Sequence, residues 1–113
     1  PGLELRGMNL TDAQEQQVRE IRERHRAEAQ QAGARVREAT EAQRKAVQAV
    51  PVNEGVIRST TFALAEAQTE AAIVQARVHR EVWAVLTDAQ RAQAEQRRAE
   101  REPRIAQRRL RSR

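Results

Sequence analysis

The chain has 113 residues, no cysteine and a net charge of +5, and one third of its residues are charged. This length allows one domain at most and a small core. With only two aromatic residues, Phe62 and Trp83, the composition argues against a β-sandwich or an α/β enzyme. The abundance of Ala, Gln, Glu and Arg favours long helices instead.

Residues 1–10 are predicted to form a short N-terminal lead. From Thr11 to about Ala49 the chain contains no proline, and its pattern is helical. Within this range Gly33 predicts a kink. A stripe that alternates steps of four and three residues, as in a coiled coil, follows Val18, Arg22, His25, Ala29, Ala32, Val36, Ala39, Gln43, Ala46 and Val50.

A break is predicted around Pro51, because proline disfavours helical geometry at the residue before it. Asn53 is then a suitable N-cap for a second long helix over residues 54–85. Its stripe is better filled with apolar residues and comprises Ile57, Thr60, Leu64, Ala67, Ala71, Val74, Val78, Val82 and Val85. Two long helices joined by a short turn predict an antiparallel hairpin.

A third, basic helix is predicted from Leu86 onward, with a kink or an end at Pro103 and a frayed basic tail over residues 104–113. Residues 91–113 hold nine arginines against three glutamates. Such a segment suggests an anionic partner: a membrane surface, an acidic protein face or nucleic acid. The alanine-rich stripes offer little apolar area to one hairpin. We therefore expect a single all-α domain over residues 1–113 that forms a homodimer.

The pentapeptide Leu-Thr-Asp-Ala-Gln occurs twice, at residues 10–14 and 86–90. Each copy has the pattern of a capping box, in which threonine caps the helix and glutamine reaches back to it. Both copies flank the end of the predicted hairpin opposite the turn, so we expect them to lie near each other. The predicted cap residues are Leu10, Thr11, Gln14, Leu86, Thr87 and Gln90.

Two such Leu-Thr-x-x-Gln motifs, in a small helical chain without cysteine, resemble the Spy/CpxP family of bacterial periplasmic stress proteins. The periplasmic heavy-metal-resistance sensors are a related branch. The resemblance covers the order motif, long helix, turn, long helix, motif and basic helix. It implies a hairpin that dimerises into a curved cradle. It also implies an ATP-independent chaperone for unfolded or misfolded envelope proteins, or an adaptor of a sensor kinase.

The periplasmic placement depends on this resemblance. The chain begins at Pro1-Gly2 without methionine and shows no signal peptide, which predicts a mature or trimmed chain. It also lacks a phosphate-binding loop, a nucleophile elbow and any other catalytic constellation. We therefore expect a protein that is not an enzyme and that needs no cofactor.

The two histidines, His25 and His79, are candidate metal ligands. They stand at similar distances along the sequence from Pro51, so in an antiparallel hairpin their heights can coincide. A metal site needs three or four ligands, and Glu28 or Glu81 could contribute. Packing between the helices is the favoured interpretation. A metal-responsive sensor is the first alternative function.

A client or partner surface is the remaining candidate site. The two aromatic residues are interpreted as core or dimer packing, or as contact points for non-native chains. The arginines are interpreted as a solvated helix face, or as a basic surface for acidic clients, a sensor domain or an anionic membrane. A nucleic-acid-binding protein is the second alternative, although no stacking platform supports it. The candidates are Arg97, Arg98, Arg101, Arg104, Phe62 and Trp83.

Overall fold

The structure is a computed structural model that describes residues 5–111, and within this range it contains helices and no strand. The helices are α1 (Asp12–Arg24), α2 (Arg26–Gln48), α3 (Glu54–Val85) and α4 (Asp88–Arg111). The predicted all-α class is confirmed. The homodimer, the cradle and the single domain over residues 1–113 stay predictions. No helix among the described residues combines the length and the apolarity that crossing a bilayer requires.

The helices belong to two compact units. The motif unit comprises Pro1–Arg19 and His79–Arg113, and so contains both pentapeptides. The hairpin unit comprises Glu20–Val78. The buried apolar residues of the motif unit are Met8, Val18, Val82, Leu86 and Ala94, and those of the hairpin unit are Ile21, Ala32, Ala46, Ala67 and Val74.

In the hairpin unit, α2 runs antiparallel to α3, as predicted. Near the turn, the Gln43 Nε2 atom donates a hydrogen bond to Thr61 Oγ1 over 3.0 Å. Farther from the turn, the Arg77 guanidinium forms an ion pair with Glu28 at 3.1 Å. In each pair the two residues stand at about the same number of positions from Pro51, which antiparallel helices require.

The predicted break around Pro51 is confirmed. Helix α2 ends at Gln48, and the backbone of Ala49 is extended, with φ −68° and ψ 139°. The Val50–Pro51 peptide bond is cis. Helix α3 then begins at Glu54, and Asn53 Oδ1 accepts a hydrogen bond from the Val56 N–H over 3.2 Å. Asn53 is therefore the side-chain cap that the sequence predicted.

The stripe predicted on α3 is also confirmed, because all nine of its residues are buried or half-buried. Three of them, Ala67, Val74 and Val82, are buried. Steps of three and four residues keep one helix face toward the core. On α3, apolar side chains occupy nearly every position of the stripe. Their burial therefore determines which face of the helix packs against the core.

The prediction of one continuous helix from Thr11 to Ala49 is wrong. The chain interrupts it at His25, where φ is −98° and ψ is 0°, and Gly33 lies inside α2. The interruption is local, since the His25 N–H still donates to the Ile21 carbonyl oxygen over 3.3 Å. Glycine lowers helix stability without requiring a bend, so Gly33 remains helical where the flanking residues are good helix formers.

The first predicted stripe is correspondingly wrong at three positions. Ile21 is buried where Arg22 was predicted to face inward, because burying an unpaired guanidinium costs far more than burying an alkyl group. Ala29 is exposed. It lies in the first turn of α2, after the interruption at His25, so the spacing counted along α1 does not carry over to it. Val50 is 93% exposed, because it lies in the turn after α2 has ended.

The sequence predicted either a kink or an end of the helix at Pro103. Helix α4 does not end there but continues through Arg111. Proline removes the N–H that would bond the carbonyl of Ala99. Both residues are exposed to solvent, so water can bond that carbonyl instead. The frayed tail over residues 104–113 stays a prediction, and residues 112–113 lie outside the described residues.

Candidate functional site

Both pentapeptides form complete capping boxes. In the first copy, Thr11 Oγ1 accepts from the Gln14 N–H over 3.1 Å, and Gln14 Oε1 accepts from the Thr11 N–H over 2.9 Å. In the second, the corresponding distances between Thr87 and Gln90 are 3.2 and 2.9 Å. These are the hydrogen bonds of the capping box that the sequence pattern predicts for threonine and glutamine. Each box satisfies backbone N–H groups that a helix start leaves without an intrahelical partner.

The two boxes also bind each other through their glutamine side chains. Gln14 Nε2 donates to Gln90 Oε1 over 2.8 Å, and Gln90 Nε2 donates to Gln14 Oε1 over 3.2 Å. This reciprocal amide pair confirms that the two motifs lie side by side. Gln14 is only 9% exposed, so the pair is shielded from water on that side.

The second N–H of each amide reaches a backbone carbonyl just before the other motif. Gln14 Nε2 donates to the Val85 carbonyl oxygen over 3.1 Å, and Gln90 Nε2 to the Met8 carbonyl oxygen over 3.4 Å. Each glutamine therefore accepts two hydrogen bonds and donates two. Among the described residues, no buried side-chain polar atom lacks a hydrogen-bond partner. Saturation of this kind offsets the cost of removing polar amides from water.

The leucines of the two motifs differ in burial. Leu86 is 3% exposed, whereas Leu10 is half-buried. The lead before Leu10 bends through two residues with positive φ, Gly7 at 79° and Asn9 at 56°. Arg97 of α4 holds this lead, because its Nη1 atom donates to the Arg6 carbonyl oxygen over 2.6 Å.

Arg91 is a structural residue that sequence reasoning missed. Its Nε atom donates to the Trp83 carbonyl oxygen over 3.0 Å, and its Nη2 atom to the Ala84 carbonyl oxygen over 3.4 Å. A guanidinium there satisfies carbonyls at the end of α3 and complements the negative end of the helix dipole. The available signal was a cation directly after the second pentapeptide, where the first is followed by Glu15.

The four arginines predicted as a partner surface have different surroundings. Arg97 is half-buried against the lead, and Arg98 forms an ion pair with Glu95 at 2.7 Å. Arg101 and Arg104 are exposed. The structure therefore brings Arg97, Arg101 and Arg104 to one cleft, and Arg98 is not among the residues that line it. Their partner-binding role stays a prediction.

The two aromatic candidates are also in different settings. Phe62 is 66% exposed, so it is not part of the core of a single chain. It lines an open groove of the hairpin unit. Trp83 is half-buried and stacks on His79, with ring centroids 5.8 Å apart and an angle of 15° between the rings. Dimer packing and client binding stay open for Phe62.

The histidines have separate local partners. His79 stacks on Trp83, and the His25 Nδ1 atom lies 3.7 Å from a Glu28 carboxylate oxygen. Residues 5–111 contain no group of three or more His, Cys, Asp or Glu side chains that could hold a metal ion. The expectation that His25 and His79 lie at coinciding heights along the hairpin stays a prediction, as does their role as metal ligands.

The cap of the second motif supplies a direct test of the box. We expect Thr87→Ala to lower the free energy of unfolding by about 0.5–2 kcal/mol, because the Gln90 N–H loses its acceptor. Thr11→Ala should cost a similar amount. Urea unfolding followed by circular dichroism measures both. Thr69→Ala is a matched control in the interior of α3, where the hydroxyl only donates to the Ala65 carbonyl oxygen. Equal losses in all three variants would contradict a specific capping role.

Comparison with known protein families gives a match. The model of the LTXXQ motif family matches residues 5–98, which include both pentapeptides and the helices between them. No curated protein and no solved structure matches the chain.

Proposed function

The chain belongs to the LTXXQ motif family, a Spy/CpxP-related family whose members are generally periplasmic, and from this premise we propose a periplasmic envelope-stress chaperone. It would bind unfolded or misfolded proteins without ATP, without a cofactor and without catalysing a reaction. It would act as a homodimer.

The observation that carries this proposal is a set of apolar side chains that are left exposed on the hairpin unit. Phe62 is the largest such side chain. The other exposed large apolar side chains there are Val47, Val50, Val52, Val56 and Ile73. Contiguous apolar patches on a protein surface are typical of sites that contact another chain.

The groove beside Phe62 has the composition that suits varied clients. It is open, has a volume of about 860 Å³, and is lined by several alanines and by charged side chains of both signs. The charged residues are Arg35, Glu38, Glu66 and Glu70. Long charged side chains can rearrange around different sequences, and the small alanine side chains impose no single shape. Weak contacts to many chains follow from such a surface.

The arginine-rich α4 adds long-range attraction for acidic segments. We expect part of the activity to weaken as salt rises, because screening at 0.1 M limits the interaction to about 10 Å. Nucleic acid is the less favoured partner, since residues 86–113 contain no aromatic side chain on which a base could stack.

The test is light scattering of an unrelated client protein that aggregates on heating or reduction. At equimolar concentration the protein should slow aggregation without ATP. Phe62→Ala should weaken this effect without lowering the melting temperature, because Phe62 is exposed. Ile105→Ala removes another exposed apolar side chain, on α4, and should leave the activity unchanged. Sedimentation should show about twice the monomer mass in each case.

Unchanged aggregation at a several-fold excess of folded dimer would refute the chaperone proposal and favour an adaptor of a sensor kinase. A metal-responsive sensor would instead show stoichiometric binding of zinc, nickel or copper that His25→Ala with His79→Ala abolishes.

A further inference from the structure

A second feature of the motif unit is a cleft between the lead and α4. It is open to solvent, has a volume of about 350 Å³, and is lined by Arg6, Arg97, Glu100, Arg101 and Arg104. The lining of this cleft thus contains four arginines and one glutamate. The cleft shares no residue with the groove beside Phe62.

The backbone places these arginines together. Arg97, Arg101 and Arg104 follow one another at steps of four and three residues, which puts them on one face of α4. The lead supplies Arg6 and is held in place by the bond from Arg97 to the Arg6 carbonyl oxygen and by the bond from Gln90 to Met8. A Cβ at Gly7 would lie 3.3 Å from Arg97 Nη2, so glycine lets the lead approach the helix closely.

Two arginines of this cleft, Arg101 and Arg104, differ from their neighbours on α4 in their ion pairing. Arg98 and Arg91 form ion pairs with Glu95 and Asp88. By contrast, no acidic side chain in the described chain forms an ion pair with Arg101 or Arg104. Like charges that converge repel one another unless an anion lies between them.

We propose that this cleft binds a phosphate group, carried by a free phosphate or by the headgroup of an anionic lipid. Guanidinium groups bind phosphate oxygens through paired, charge-assisted hydrogen bonds, and several of them match an anion of more than one charge. Neither aromatic residue of the chain lines the cleft, so recognition is by charge and not by stacking on a base. The proposal does not depend on chaperone activity.

The experiment compares two probes with the full chain at low ionic strength. Calorimetric titration with inorganic pyrophosphate tests the free anion. Co-sedimentation with phosphatidylglycerol–phosphatidylcholine vesicles tests the headgroup, with pure phosphatidylcholine vesicles as the blank. We expect saturable binding of at least one probe with a Kd below about 1 mM. Binding of pyrophosphate alone identifies a free phosphate as the ligand, and binding of the anionic vesicles alone identifies the headgroup.

Paired variants separate the cleft from general charge. Arg101→Gln with Arg104→Gln should weaken binding about tenfold or more. Arg98→Gln with Arg109→Gln removes the same charge from α4 outside the cleft and should change binding less than about twofold. Circular dichroism checks that α4 stays helical in both. Equal weakening by the two pairs, or no saturable binding of either probe, would overturn the proposal. Tighter binding of a single-stranded oligonucleotide than of both probes would overturn it in favour of nucleic acid.

Discussion

Replacing Gln14 with glutamate should lower the free energy of unfolding by about 1–3 kcal/mol at neutral pH. A carboxylate has no hydrogen to donate. It would remove the Gln14 hydrogen bond to the Val85 carbonyl oxygen and one of the two hydrogen bonds that Gln90 Oε1 accepts, leaving that oxygen only the Thr87 N–H. It would also place a negative charge beside both oxygens. Urea unfolding followed by circular dichroism, fitted with a common slope, measures the loss.

Gln17→Glu is the matched control for this change. Gln17 stands on the same helix and is exposed, so the same substitution adds the same charge without touching the glutamine pair. Its effect should be within about 0.5 kcal/mol of zero. If the two variants lose the same stability, the penalty comes from net charge, and the amide pair has no special role.

Leu86→Ala should be the more damaging of the two leucine truncations in the pentapeptides, with a loss of about 2–5 kcal/mol. The side chain is 3% exposed, so its removal both forfeits apolar burial and leaves space that its neighbours cannot fill completely. Thermal unfolding of the variant and the parent under identical conditions gives the difference.

Leu10→Ala makes the same chemical change at the same place in the other pentapeptide. Leu10 is half-buried, and water can enter the space that truncation leaves. The loss should therefore be clearly smaller than for Leu86→Ala. Equal losses of stability in the two variants would mean that the difference in burial between Leu10 and Leu86 has no energetic consequence.

Much of the hairpin could be predicted from sequence, because local signals and apolar spacing agreed there. Around α3, Pro51 and Asn53 mark the start, the second pentapeptide marks the end, and the stripe between them holds apolar residues at nearly every step. The contact between Gln14 and Gln90 followed from topology: once two long helices fold back, segments that flank the same end must meet.

Other features could not be predicted, because they depend on contacts that no local pattern shows. Nothing in the sequence around His25 is a strong helix breaker, so no local pattern marks the end of α1 there. The arginines of α4 are alike in sequence. Proximity to the Arg6 carbonyl distinguishes Arg97, and proximity to Glu95 distinguishes Arg98.

The reciprocal glutamine pair also implies an order of events when the chain folds. The contacts that hold the hairpin unit join residues 18 and 49 positions apart, whereas the glutamine pair joins residues 76 apart and Arg97 reaches across 91. Closing a loop of 76 residues costs about 1 kcal/mol more than closing one of 18. If α2 and α3 pack together first, starting at the turn, most of this extra free-energy cost of loop closure disappears. The two pentapeptides should therefore meet late in folding, after the hairpin has brought their helices together.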